Sequence, residues 1–526
     1  MRILSKKRFV TLGFLWLLSA LLVSAGPVRL EFVLPGTQPM DHKFEFRDAS
    51  NCAHCHSGTT NGPADPYFSW RGGMMAQAAR DPVFRAALGV ANDDLPGCGE
   101  FCIRCHSPRA WFEGRSTAPD ASLLQGDDLH GVTCDICHRL TDPLSDEAKE
   151  FAKLAPPGYG NGMMVIGPDR VLRGPYTDTK GLSMHATTGS TYQASSELCG
   201  NCHNVSNPTL ATNVNLQPPY AFGHIERTYS EWALSDFAKK DSLQSCQSCH
   251  FPRVTGGGKA VNYASNYGDQ HRDYFVSHNA VGGSTWVQDA IYQIWKGKDL
   301  DRAALEAGKE HARRLLKTAA ALGLDIAAGK AHLTITNLTG HKLPTGYPEG
   351  RRIWVNVRFL DGSSNVIKEL GRYGEGPRGP TLFEPENTRV YECKPGLSAA
   401  QAERHHEQPG PSFHFILNDF IAKDNRIPPR GYSKSAFAEH LAAPVGADYA
   451  DGQYWDEMDF ALPDGTARVE VRLLYQSLSP EYIAFLKDKD PDPWGAKLLH
   501  AWQTTGKCPP EEIAFVARPV KTPAAQ

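Results

Sequence analysis

Ten of the thirteen cysteines in the 526-residue chain fall into five copies of one pattern, Cys-x-x-Cys-His. They are Cys52/Cys55/His56, Cys102/Cys105/His106, Cys134/Cys137/His138, Cys199/Cys202/His203 and Cys246/Cys249/His250. With 13 Cys and 20 His in the chain, a given position starts this pattern by chance with probability of about 2 × 10⁻⁵, so roughly 0.01 copies are expected. The chemistry that needs this spacing is covalent haem attachment. Two thiols form thioethers with the vinyl groups, and the adjoining imidazole reaches back to the iron as axial ligand. Structural zinc uses paired Cys-x-x-Cys units but has no reason to demand His after all five. A redox disulfide needs a thioredoxin-like setting, which would not recur five times. Five covalent haem c groups are therefore expected. Of the other cysteines, Cys393 and Cys508 could form a disulfide in an oxidising compartment, leaving Cys98 odd.

Five proximal histidines leave fifteen other His and eight Met for the opposite axial positions. In multihaem cytochromes a Trp-x-x-Ser-x-His-Ala phrase often delivers such a ligand. Ser183-Met-His185-Ala186 fits it, making His185 a candidate. Ser69-Trp70-Arg-Gly-Gly-Met74-Met75-Ala76 carries Met where His would stand, and Met is an axial ligand that raises the reduction potential. Met75 is the candidate there, with Met74 next. A third copy, ending Ser235-Asp-Phe237-Ala238, offers only Phe, which turns attention to the nearby His224. His278, before a Gly-Gly turn, and His341, in Gly340-His-Lys-Leu-Pro344, complete the set, with His42, His130 and His271 in reserve. His54 is held inside its own motif, while His311, His405 and His406 lie on polar stretches and read as solvated.

These residues need elements to position them. The motifs occupy Cys52 to His250, a stretch rich in Gly, Pro and short helical phrases. Fewer than 50 residues per haem build little conventional core, so the porphyrins must supply much of the buried apolar surface. From Trp286 to Leu324 the pattern is that of an amphipathic helix, with Leu305, Leu315 and Leu316 inward. After Gly329 the period becomes two: 332–337, 352–359 and 468–475 alternate as strands do, and Asp361-Gly362 is a hairpin signal. The expected fold class is α+β, a mainly helical and loop region followed by a β-sandwich. The boundaries are 1–25 for a signal peptide, 26–285 for the motif region, 286–327 for a helical connector and 328–526 for the sandwich with a helical tail. Arg2, Lys6, Lys7 and Arg8, followed by an apolar run to Val23 and small residues at Ser24-Ala25, read as an export signal. The mature chain should be periplasmic or extracellular. Lys+Arg of 55 against Asp+Glu of 58 gives a net charge of −3, without the positive excess a nucleic-acid partner requires.

The chain resembles exported multihaem cytochromes c of the superfamily that includes the nitrifier tetrahaem cytochrome and octahaem hydroxylamine oxidoreductase. Within it, the likeness is to a group with an added C-terminal β domain. The phrases that carry it are Leu34-Pro-Gly-Thr-Gln-Pro39, Met74-Met-Ala-Gln-Ala-Ala-Arg-Asp-Pro82, Cys102-Ile-Arg-Cys-His-Ser-Pro108, Gly131-Val-Thr-Cys-Asp-Ile-Cys-His138, Gly340-His-Lys-Leu-Pro-Thr-Gly346 and Asp424-Asn-Arg-Ile-Pro-Pro-Arg-Gly431. The resemblance implies electron transfer between redox protein donors and acceptors. It departs from the pentahaem nitrite reductases, since no Cys-x-x-Cys-Lys motif occurs. A carrier is the first reading and no catalytic residue is assigned. The alternatives are an oxidoreductase acting on a small nitrogen or sulfur species at one labile haem, and a self-assembling or conduit-docked cytochrome at a membrane.

Overall fold

The computed structural model describes residues 34–520 apart from 58–64, 169, 178–184, 208–223, 256–264, 266–273 and 378. The proposed signal peptide and His271 lie outside the described residues. Each Cys-x-x-Cys-His motif lies on, or runs off, a short helix: Ala49–His56, Gly99–His106, Cys134–Arg139, Ser196–Gly200 and Cys246–His250. A helical turn is what the spacing asks for, because residues three and four apart share one face. None of the five exceeds eight residues. Helices below about 12 residues are marginal in water, so these depend on what they pack against.

One longer helix, Pro82–Asp94, starts with Pro at its first position and an Asp81 carboxylate that accepts from the Val83 N–H at 2.8 Å. Its small residues Ala86, Ala87 and Val90 pack against Trp286 and Ile291 and against Tyr482, Leu498 and Ala501 from the C-terminal helices. The connector forms as two helices, Val287–Trp295 and Arg302–Leu316, with Leu305 and Leu316 buried and Leu315 half-buried. Arg302–Leu316 crosses the Pro66–Arg71 helix at two glycines. A methyl on Gly308 would sit 2.1 Å from the Gly72 carbonyl oxygen, so the crossing requires a bare backbone.

The β region is built on two antiparallel sheets that face each other, with a hairpin of Tyr373–Gly376 and Gly379–Leu382 and a small sheet of Gly410–Pro411, Cys393–Leu397 and Phe420–Asp424 beside them. One of the facing pair has the order Trp455–Ala461, Lys330–Asn337, Ala320–Ala327. The other runs Val366–Leu370, Arg352–Leu360, Arg468–Gln476, Glu511–Pro519, with Val390–Tyr391 also on Arg352–Leu360. Leu333 and Ile335 from the first sheet meet Val355, Val357, Val469 and Val471 from the second in one core, which makes the pair a sandwich. The α+β class is as expected, and the three strands read from sequence are found at Lys330–Asn337, Arg352–Leu360 and Arg468–Gln476.

Three details differ from the sequence expectation. The sheet starts at Ala320, inside the stretch taken as helical connector. The Arg302–Leu316 helix stops at Lys317 and the chain turns directly into a strand whose Ala and Gly residues hide its alternation. The chain also does not end in helices: after Pro480–Lys489 and Trp494–Thr504 it returns as the edge strand Glu511–Pro519. Finally, the disulfide that the sequence left open between Cys393 and Cys508 is not formed, and both are free thiols. Cys508 lies 3.5 Å from the Ser477 hydroxyl, and burial pushes it up to about 11, while Cys393 is buried beside Asp424 and Arg426. Among the described residues, no helix is long and apolar enough to cross a membrane.

Candidate functional site

All ten motif cysteines and all five motif histidines line one continuous cavity of about 2390 Å³. Divided by five this is about 480 Å³ per motif, within the ~300–1,000 Å³ that a single bound cofactor or ligand usually occupies. The motifs abut. Side-chain contacts join the sulfurs of Cys52 and Cys134, of Cys105 and Cys202, and of Cys199 and Cys246. The fourth motif therefore touches both the second and the fifth, and whatever the five motifs hold is held at close quarters.

Three imidazole pairs face each other across this cavity. His56 and His185 have ring centroids 6.5 Å apart, His138 and His278 6.4 Å, and His250 and His341 6.3 Å, with planes inclined at 26° to 30°. This spacing is what one shared metal demands. A metal–imidazole bond of ~2.0 Å plus ~1.1 Å from nitrogen to ring centre, doubled, is ~6.2 Å. The rings are turned for it by their other nitrogens. His138 Nδ1 donates to the Arg173 carbonyl at 2.7 Å, His250 to Val281 at 2.5 Å, His278 to Val276 at 2.8 Å and His341 to Lys342 at 2.9 Å. That leaves Nε2 of each free to ligate. Burial pushes His250 and His278 down to about 4 and lowers His56's partner His185, His138 and His341 as well, which keeps these imidazoles in the neutral, ligating form. The donor set and the spacing thus fit haem c at the first, third and fifth motifs.

The other two motifs are built differently. The His106 Nδ1–H reaches the Ala78 carbonyl at 3.3 Å, and Phe84 lies flat on its ring, 3.8 Å between centroids and 5° from parallel. His203 donates instead to a carboxylate, Glu226 Oε1, at 3.0 Å. Burial works against charge on His203, but Glu226 overcomes it and pushes the imidazole up to about 9. Among the described residues neither His106 nor His203 has a second imidazole at the distance seen in the three pairs.

The remaining sequence candidates fall as follows. Met75 and Met74 both line the cavity, and Met74 also packs on the Pro82–Asp94 cluster. His224 begins a short strand, His224–Glu226, with its backbone opposite Ser206. His54 lines the cavity beside its own motif. His42 bridges the Phe44 and Phe112 carbonyls, and His130 is bound to Asp299 at 3.2 Å, so both serve packing. His311 is not merely solvated: its Nδ1 is hydrogen bonded to Asn279, next to His278.

Sequence reasoning missed the groups that hold the His341 loop. Glu231 Oε2 accepts from the Lys342 N–H at 3.1 Å and from Thr345 Oγ1 at 2.6 Å. Lys342 Nζ, fully buried, donates to Asp424 Oδ2 at 2.6 Å, and Arg426 grips Asp424 at 2.7 Å while reaching Glu231 at 3.3 Å. Burial alone would raise Asp424, but Arg426 and Lys342 hold it below the usual carboxylate range. The two loop phrases Gly340–Gly346 and Asp424–Gly431 thus meet in one buried ionic cluster against the Thr228–Ala233 helix. Their separation in sequence concealed this. Tyr347 and Glu349, which also line the cavity, gave no sequence signal either.

No protein-family profile and no curated protein sequence matches the chain. Among solved structures it is similar to a penta-heme cytochrome c552 from Thermochromatium tepidum, with a TM-score of 0.54 and 18% identity over 92% of this chain and 100% of that one. The likeness is one of fold. The fold is therefore one that a penta-heme cytochrome also has.

Proposed function

We propose that the chain is an exported carrier with five covalently attached haem c groups, passing electrons between redox proteins. The observation that carries this reading is the single cavity lined by all five motifs, with three imidazole pairs spaced for a shared iron. Bound haem would supply a one-electron iron couple. The chain's own residues do the rest. Cys52, Cys55, Cys102, Cys105, Cys134, Cys137, Cys199, Cys202, Cys246 and Cys249 anchor the groups, and His56, His106, His138, His203 and His250 give the near ligands. His185, His278 and His341 stand opposite His56, His138 and His250. His224 and Met75 are the candidates for the second and fourth motifs. A periplasmic or extracellular location follows from the N-terminal reading.

The test is intact mass with haem quantification, then low-temperature EPR of the oxidised protein and carbon monoxide binding after reduction. Five haems, all low-spin and none taking up the gas, uphold the carrier. Fewer than five attached groups would sink the count.

A second reading has support at one place. Near Cys102, the Tyr347 hydroxyl bonds Tyr482 at 2.7 Å, and Asp81, Tyr347 and Glu349 line the cavity. Glu349 is 3% exposed, its Oε1 has no hydrogen-bond partner among the described residues, and burial raises it well above the usual carboxylate range. A protonated acid beside a haem is what an oxidoreductase acting on a small nitrogen or sulfur species needs. One high-spin or gas-binding haem in the same experiment selects this reading.

A further inference from the structure

The near ligands differ in what they donate to. His106, His138 and His250 each give their Nδ1–H to a backbone carbonyl, at 3.3, 2.7 and 2.5 Å. His203 gives its to the Glu226 carboxylate at 3.0 Å. Glu226 is itself fixed: Thr228 Oγ1 donates to Glu226 Oε1 at 3.0 Å and lies 3.0 Å from Thr345 Oγ1, which donates to Glu231 Oε2 at 2.6 Å. Glu231 also accepts the Lys342 N–H. Thr228 and Thr345 each give their single hydroxyl hydrogen to a carboxylate, so the 3.0 Å approach of their oxygens is a close contact that packs the Glu226 side of the fourth motif against the loop bearing His341. Arg351 is the cation facing Glu226 from the β region, and its Nη1 is committed to the Thr345 carbonyl.

We propose that Glu226 is a positioning residue that holds the fourth-motif haem at a lower potential than the haems whose near imidazoles, His106, His138 and His250, donate to backbone carbonyls. The inference rests on the haem reading above. A carboxylate accepting from a ligating imidazole raises that ligand's basicity, where a carbonyl does so less. A more basic ligand, with a negative charge behind it, favours ferric over ferrous iron and lowers the potential. Thr228 and Thr345 keep the carboxylate aimed, so the effect does not depend on a freely rotating side chain. The Thr228–Thr345 contact also sets the fourth site beside the loop that bears His341.

The experiment is spectroelectrochemical titration of the intact haem-loaded protein and of Glu226→Gln, with haem quantified in both. Gln keeps an oxygen that can accept from His203 but removes the charge. The expected result is a tenfold or larger change in one reduction equilibrium, 59 mV for one electron, moving one low component upward and leaving the others in place. Glu226→Asp, which retains the carboxylate, should restore the low component at least in part. Should Glu226→Gln assemble poorly, paramagnetic proton NMR of the unaltered protein provides the second readout: one near imidazole must show more imidazolate character than the rest. A titration in which no component moves upward at full haem content, or five equivalent imidazoles, overturns the assignment. Absence of covalent haem in the unaltered protein would instead overturn the reading beneath it.

Discussion

The motif region and the β-sandwich solve the burial problem in opposite ways. The sandwich closes on its own side chains: Leu333 and Ile335 meet Val355, Val357, Val469 and Val471, all at or below 1% exposure. The motif region arranges five helices of eight residues or fewer around a cavity of about 2390 Å³, and much of its apolar surface faces that space. Each region has buried side chains of its own, Ile103, Trp111, Phe112 and Ile136 in the motif region and the valines above in the sandwich, but only the motif region opens on a large apolar cavity. The contrast is between a core closed by side chains and one left open on a cavity that a large apolar group would complete.

The sharpest way to break this contrast is to make the chain without haem attachment. Hydrogen exchange should then show protection retained in Arg352–Leu360 and Arg468–Gln476 and lost across Cys52 to His250. Equal protection in both regions would refute the contrast. Next in size is the ionic cluster that clamps the two regions together. Lys342→Met leaves Asp424 buried with one cation fewer, and removal of one partner of such a pair costs about 3–5 kcal/mol. Thermal unfolding should reveal that loss, with the His250 haem spectrum changed as the His341 loop loosens.

A smaller effect separates packing from propensity at the connector. Ala favours a helix over Gly by about 1 kcal/mol. At Gly308 the added methyl would strike the Gly72 carbonyl, so Gly308→Ala should lower the unfolding temperature rather than raise it. The smallest effect belongs to the seam, where Asp490 accepts from the Asp492 and Gly495 N–H groups close to Gly89. Burial raises Asp490 from 3.8 to about 6. A carboxyl whose folded value is raised contributes stability below about pH 4, and that contribution is lost as pH rises through 6. Asp490→Asn should therefore flatten the decline in unfolding temperature between pH 4 and 7.

Much of the site was legible in the residues because covalent attachment imposes a fixed local spacing. Cys-x-x-Cys-His needs only one helical turn, and all five turns are found in the fold. His185, His278 and His341 were legible as candidates through local wording, but which motif each faces was not, since that depends on chain crossings of many residues. Glu226 was illegible for a related reason: an isolated acid carries no pattern until a strand brings it to 3.0 Å from His203. The strand at Ala320–Ala327 was hidden because its Ala and Gly residues have weak β preference, and pairing with Lys330–Asn337 overrides it.

The five Cys-x-x-Cys-His motifs, the two-part α+β organisation and the period-two strands were readable from the residues alone, since each is written within a few neighbouring residues. Only the tertiary structure decided that the five motifs share one cavity, which imidazoles face across it, and that Lys342, Asp424, Arg426 and Glu231 converge on the loop of His341. The physical reason is range. Helical turns and strand alternation are set by neighbours, whereas a ligand pair 6.3 Å apart or a buried ion cluster exists only once distant segments have paid their ordering entropy and packed.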